Sequence, residues 1–124
     1  MHKGLTFLIA LLCAIGMRAQ HISYIETTRS WHYIYDENGK RAHSMSTSQG
    51  RLVAYSSEFF ILRQGNSYYI IYDAKGRRIT SLGVNVVGEI LTANDNTFTS
   101  RNASWIYTWT KEGKRIGSRS TSAH

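Results

Sequence analysis

The stretch YDENGKR at residues 35–41 returns as YDAKGRR at 72–78 and as WTKEGKR at 109–115, so Gly39, Gly76 and Gly113 stand 37 residues apart. The same offset aligns Ser30, Ser67 and Ser104, then Trp31, Tyr68 and Trp105. It also aligns Tyr33, Ile70 and Tyr107, and Tyr35, Tyr72 and Trp109. Past the turn it matches Lys40, Arg77 and Lys114, then Arg41, Arg78 and Arg115, then Ser44, Ser81 and Ser118. A fixed period of this size means that one supersecondary unit is copied along the chain, which confines the fold to repeat architectures.

Each unit reads as strands. WHYIYD alternates large aromatic with mixed residues at period two, the pattern of a strand rather than of a 3.6-residue helix. The glycine then falls where a hairpin loop needs a left-handed residue. A second hairpin follows in each unit: GRLVAYSSEFFILRQG predicts strands near 51–55 and 58–63, and GEILTANDNTFTSRN predicts strands near 89–93 and 97–101. The link from Gly83 to Gly88 carries a one-residue shift, compensated before Ser104. HISYIETTRS supplies the end of an incomplete first unit. Roughly eleven strands and no helix are expected. Proline is absent, so turn geometry rests on glycine, asparagine, aspartate and serine.

YIYDENGKR and YIIYDAKGRRITSLG resemble the YD repeat of Rhs-type shell proteins, a tyrosine-x-tyrosine-aspartate hairpin closing on glycine and arginine. The resemblance implies antiparallel hairpins, which that family assembles into large encapsulating sheets. Here the spacing is longer and the third copy has WTKEG in place of tyrosine-aspartate. FFILRQGNSYYIIYDAKGRRI is similar to the middle and outer strands of a β-propeller blade. Neither resemblance brings functional residues with it. A closed propeller typically takes about four or more blades, and this chain has just under three units. The expected fold is therefore all-β, with three antiparallel repeats of about four strands in a compact threefold, β-trefoil-like arrangement that leaves few edges exposed. The alternative is a set of propeller-like blades, open or completed by oligomerisation.

The first residues read differently. A short basic start at His2 and Lys3 precedes LTFLIALLCAIG and then MRAQ, the layout of a secretory signal peptide over 1–19 followed by a single β domain over 20–124. Cleavage falls between Gly16 and Gln20. The apolar run is shorter than the ~20 residues a membrane span needs, so no transmembrane segment is expected after cleavage. The one cysteine, Cys13, lies in that run behind Leu11 and Leu12, which suits no lipoprotein signal, and its removal leaves no disulfide, zinc thiolate or cysteine nucleophile. The expected location is exported: periplasmic, cell-surface or secreted.

The chain has 15 basic and 8 acidic residues, a net +7; losing Lys3 and Arg18 with the leader takes two from the basic count and leaves +5. A basic exported protein suits polyanionic partners such as acidic glycans or lipid head groups. Two sets of candidate binding residues follow. The aromatic set is Trp31, Tyr33, Tyr35, Tyr68, Tyr72, Trp105, Tyr107 and Trp109. Ring faces on equivalent positions suit sugar stacking, with phenol and indole tips bonding to hydroxyls. The bland reading makes them core, because the opposite face carries His32, Asp36, Thr108 and Thr110. The basic set is Lys40, Arg41, Arg77, Arg78, Lys114 and Arg115, which threefold closure would gather on one rim to meet sulfate or phosphate groups. Its bland reading is solvated charge that keeps hairpins from pairing edge to edge.

No metal site or cofactor is expected. The histidines are scattered without close ligand pairs, and the DENG loop offers too few oxygens for calcium. The acids show no pairing of the kind a glycosidase needs, and the G-x-S-x-G elbow is missing, so no enzyme activity is expected. NAS at Asn102 matches a glycosylation sequon. The function expected from sequence is a non-catalytic exported binding module for a glycan or an acidic surface partner. The rival is a structural or protein-interaction repeat module that self-associates. Nucleic acid is an unfavoured partner for an exported chain.

Overall fold

The computed structural model describes residues 21–121; the expected signal peptide over 1–19, with Cys13, lies outside the described residues. Eleven strands form three separate antiparallel sheets. The first sheet is β1 (Ile22–Thr27), β2 (Trp31–Asp36) and β3 (Arg41–Ser46). The second is β4 (Arg51–Tyr55), β5 (Phe59–Gln64), β6 (Tyr68–Asp73) and β7 (Arg78–Gly83). The third is β8 (Glu89–Asn94), β9 (Thr97–Asn102), β10 (Trp105–Thr110) and β11 (Arg115–Ser120). Each sheet is an up-and-down meander whose strands pair in chain order. This is the all-β, three-repeat architecture that the 37-residue period predicts. A threefold arrangement of these sheets is compatible with it, and the strand order inside each sheet is that of the blade alternative.

The repeated turn shows why the motif reads Y-D-x-x-G. Asp36 Oδ1 accepts from the backbone N–H of Asn38 at 2.9 Å and of Lys40 at 3.0 Å. Asp73 Oδ1 accepts from Lys75 and Arg77 N–H, both at 2.9 Å. The aspartate thus holds the loop closed through its own side chain, a local bond that competes well in turns. Gly39, Gly76 and Gly113 have φ of 75°, 81° and 88°, the left-handed region. In the third copy Thr110 replaces the aspartate, and its hydroxyl accepts one longer bond, from Lys114 N–H at 3.2 Å. The register slips one residue past each turn, between Ile34 and Tyr35, Ile71 and Tyr72, and Thr108 and Trp109. Truncating Asp73 to alanine removes two such bonds and is expected to lower unfolding stability by about 1 kcal/mol, read by urea denaturation.

Two departures from the expected all-strand pattern fall at the links between sheets. A 3-10 turn, Thr47–Gln49, joins the first sheet to the second, and a one-turn helix α1, Val84–Val87, joins the second to the third. The helix occupies the segment where the repeat slips register and inserts Val87, fully buried, between the second and third sheets. A single turn of four residues is too short to carry a helical period in the sequence.

The sheets pack through side chains, in series. Ile22, Ile25 and Ile34 of the first sheet meet Phe60, Leu62, Ile70 and Tyr72 of the second. The other face of the second sheet, Phe59, Ile61, Tyr69 and Ile71, meets Phe98 and Trp109 of the third. The second sheet is therefore covered on both sides, which is why β5 begins FFIL with four consecutive buried residues instead of alternating. Backbone contacts add to the joints: Ile22 N–H donates to Ser57 carbonyl at 2.7 Å, and Ser56 Oγ donates to Asp95 carbonyl at 2.7 Å.

Candidate functional site: the uncovered aromatic row

The three aromatic rows occupy equivalent positions on β2, β6 and β10 but meet different surroundings. In the second sheet Ile70 and Tyr72 lie against the isoleucines of the first. In the third, Tyr107 and Trp109 lie against the second. Tyr72 and Trp109 are 8% and 5% exposed, so these two candidates belong to the core. Tyr68 and Trp105, at the strand starts, are exposed and sit at the ends of their sheet interfaces.

In the first sheet the faces are the reverse of the expected ones. His32 is buried, with Nδ1 2.8 Å from Thr27 Oγ1 and Nε2 2.8 Å from the Gly50 carbonyl, which a ring N–H satisfies. Ile34 is buried beside it. Trp31, Tyr33 and Tyr35 consequently point outward. The sequence suggests that aromatic residues take the inner side, but two hydrogen bonds pay the burial of the imidazole and β1 contributes its own isoleucines to the core. Strand pairing adds Tyr24, opposite Tyr35, which the sequence reading passed over. The β1–β2 hairpin register would have revealed it.

The result is a strip of four rings. Tyr24 and Tyr35 stack with centroids 6.3 Å apart, and Trp31 and Tyr33 with centroids 6.5 Å apart. Trp31 is 42% and Tyr24 54% exposed. Polar groups edge the strip: Tyr35 Oη donates to Glu26 at 3.3 Å, Ser44 and Ser46 lie opposite Tyr33 and Trp31, and the Arg41 guanidinium sits 4.1 Å above the Tyr33 ring. Strand rise makes the row on β2 about 13 Å long. Flat rings with hydroxyl and charged neighbours can stack on an apolar ligand face while hydrogen-bonding its rim.

The basic candidates are all exposed. Lys40, Arg77 and Lys114 lie at the turns. Arg41 and Arg115 instead lie over rings of their own sheets, Tyr33 and, at 4.6 Å, Tyr107. The register slip after each turn places these arginines there, so part of the basic set belongs with the aromatic rows. Burial raises the Tyr72 pKa above its usual 10.0, and Arg78 partly offsets the shift. The folded state holds this phenol proton more tightly than the unfolded chain, so its contribution is complete below pH 10 and is lost as pH rises through the folded value. Y72F is expected to flatten the fall in stability above pH 10, measured by urea unfolding across alkaline pH.

Among the described residues no three histidine, aspartate or glutamate side chains converge as metal ligands. Among them, too, no helix is long and apolar enough to cross a membrane. The Asn102 side chain of the NAS sequon donates to the carbonyls of Asn85 at 2.9 Å and Val86 at 3.0 Å, so its amide is engaged in holding α1. The chain matches no protein-family model and no curated protein sequence, so the YD-repeat and propeller resemblances rest on the hairpin motifs alone.

Proposed function

We propose that this protein is a non-catalytic, exported binding module whose first sheet presents Tyr24, Trp31, Tyr33 and Tyr35 to a glycan. The observation that carries the reading is the difference between three equivalent rows: two are covered by a neighbouring sheet, and the row on β2 is open. Export rests on the N-terminal sequence. Sugar rings offer an apolar face for the aromatics and hydroxyls for Glu26, Ser44 and Arg41.

The second reading, a protein-interaction module, draws on the fact that sheets cover the other rows. Its simplest form places the outer face of another copy's third sheet on the open row. That outer face carries Thr97, Thr99, Arg101, Ile106, Thr108 and Thr110, strand residues opposite in direction to Phe98 and Trp109, mostly polar, whereas the covering faces inside the molecule are isoleucine and phenylalanine. A threonine-rich end suits a solvent-facing cap of a repeat stack. The polar end therefore favours the glycan reading.

The test is thermal unfolding of the protein across neutral and sulfated glycans, with salt controls. A ligand that binds only the folded state raises the midpoint. Stabilisation by a neutral glycan that survives high salt supports the aromatic strip. Stabilisation by sulfated glycans alone, erased by salt, moves binding to the turn cations, and a midpoint that no glycan moves overturns the reading.

A further inference from the structure

Among the described residues the first sheet has three strands where the other two have four. Each larger sheet opens with a strand that the first lacks: β4 pairs with β5, and β8 with β9. The counterpart of β5 and β9 is β1, and the ladders match it residue by residue. Ile25 and Thr27 stand opposite Ile34 and His32, as Ile61 and Arg63 stand opposite Ile71 and Tyr69. In the second sheet these two positions pair on the far side with Ala54 and Arg51. In the third their counterparts, Thr99 and Arg101, pair with Thr92 and Glu89.

The edge of β1 is set to receive such a strand. Thr28 N–H donates to the Trp31 carbonyl at 2.8 Å, which makes Thr28–Trp31 a hydrogen-bonded pair. Alternation along the antiparallel ladder then turns the N–H and C=O groups of Ile25 and Thr27 away from β2. The β4–β5 turn reaches only the start of this edge, where Ile22 N–H donates to the Ser57 carbonyl at 2.7 Å. Farther along, Thr27, Thr28, Arg29 and Leu52 of β4 line a cleft of about 820 Å³. On the side of the third sheet β4 packs against β8. On the side of the first sheet, where Leu52 and Tyr55 point, no described strand takes the place of β8. A row of unpaired backbone groups is a template for another strand.

Three considerations select the occupant. The 37-residue offset carries β4 back onto residues 14–18, which straddle the cleavage expected between Gly16 and Gln20, so processing there takes that segment away. A second copy's β1 does not fit, because antiparallel pairing of two β1 strands sets both second sheets on one face of the joined sheet. The β4 of each copy would then overlap the β5 of the other. Charge narrows the choice further: Arg29 lines the cleft and no aspartate or glutamate does.

We propose that the free edge of β1 binds an extended strand of another protein, antiparallel to β1, with an acidic residue beside Arg29 and an apolar one on Leu52. Backbone pairing supplies the affinity and the alternate side chains the selectivity. The edge is distinct from the aromatic strip, which lies on the outer face of the same sheet.

The probes are labelled synthetic peptides, read by fluorescence anisotropy against the protein purified after export. A peptide of residues 88–95 copies β8 and sets Glu89 opposite Thr27, whereas one of residues 50–57 copies β4 and sets Arg51 there. Saturable binding of the β8 peptide is expected, about fivefold tighter than that of the β4 peptide, with the order reversed in R29E. N-methylating the peptide amides that face β1 should weaken binding about tenfold or more, since it removes the donors without changing the side chains. Hydrogen exchange of the complex should slow at the Ile25 and Thr27 amides. Absence of saturable binding, or binding that N-methylation leaves unchanged, overturns the proposal. Tighter binding of a peptide of residues 14–20 would give the edge to the chain's own leader, and Ile25 and Thr27 amides that slow with protein concentration alone would give it to a second copy; either result overturns it as well.

Discussion

Replacing Trp109 with alanine is expected to lower the unfolding free energy by about 3–5 kcal/mol. For a domain of this size that is roughly a 15 °C or larger fall in the thermal midpoint. The indole is 5% exposed, stacked on Phe98 at 6.2 Å and met edge-on by Tyr107 at 6.0 Å. Truncation leaves a cavity between the second and third sheets, and adjacent groups can close it only partly. It also removes the Nε1 donor that Ser100 Oγ accepts at 2.9 Å inside the core. A buried hydroxyl left without that partner adds to the loss. Trp105 starts the same strand but is 45% exposed, and W105A is expected to cost about 1 kcal/mol or less. Urea denaturation of the two variants side by side measures the contrast.

The double variant W31A/Y33A is expected to show the opposite balance. Its stability should fall by only about 1–2 kcal/mol, the combined worth of an exposed ring pair and the Arg41 contact. Its affinity for the glycan that stabilises the wild type should fall about thirtyfold or more, because aromatic side chains at the centre of a binding surface carry most of its energy. The two variants remove aromatic residues from the same row of the repeat, in different copies. Their different outcomes follow from what covers each row: the second sheet lies over Trp109, whereas Trp31 is 42% exposed on the outer face of the first sheet.

The strands were legible in the sequence because three physical signals coincide at each turn. A side chain that caps the loop, a glycine that tolerates positive φ and a period-two aromatic row recur together at Asp36, Gly39 and Tyr35 and again at Asp73, Gly76 and Tyr72. The two inter-sheet turns were not legible, since four residues at Val84–Val87 carry no periodicity. The orientation of the rows was hidden for a different reason. Period two says that Trp31 and His32 face opposite ways but gives no sign of which faces inward, and one partner of His32, the Gly50 carbonyl, comes from the link to the second sheet. The Arg51–Arg63 pair was invisible as well, because the two become neighbours only through strand register.

The most direct measurement is affinity electrophoresis of the wild type and W31A/Y33A through gels containing neutral polysaccharides. Retardation of the wild type by at least one polysaccharide, unchanged by salt and abolished in the variant, is the result expected for a glycan-binding strip. Free migration of the wild type in every gel would contradict it. If that came with a wild-type mass that rises with concentration and a variant mass that does not, the open row would be a protein interface instead.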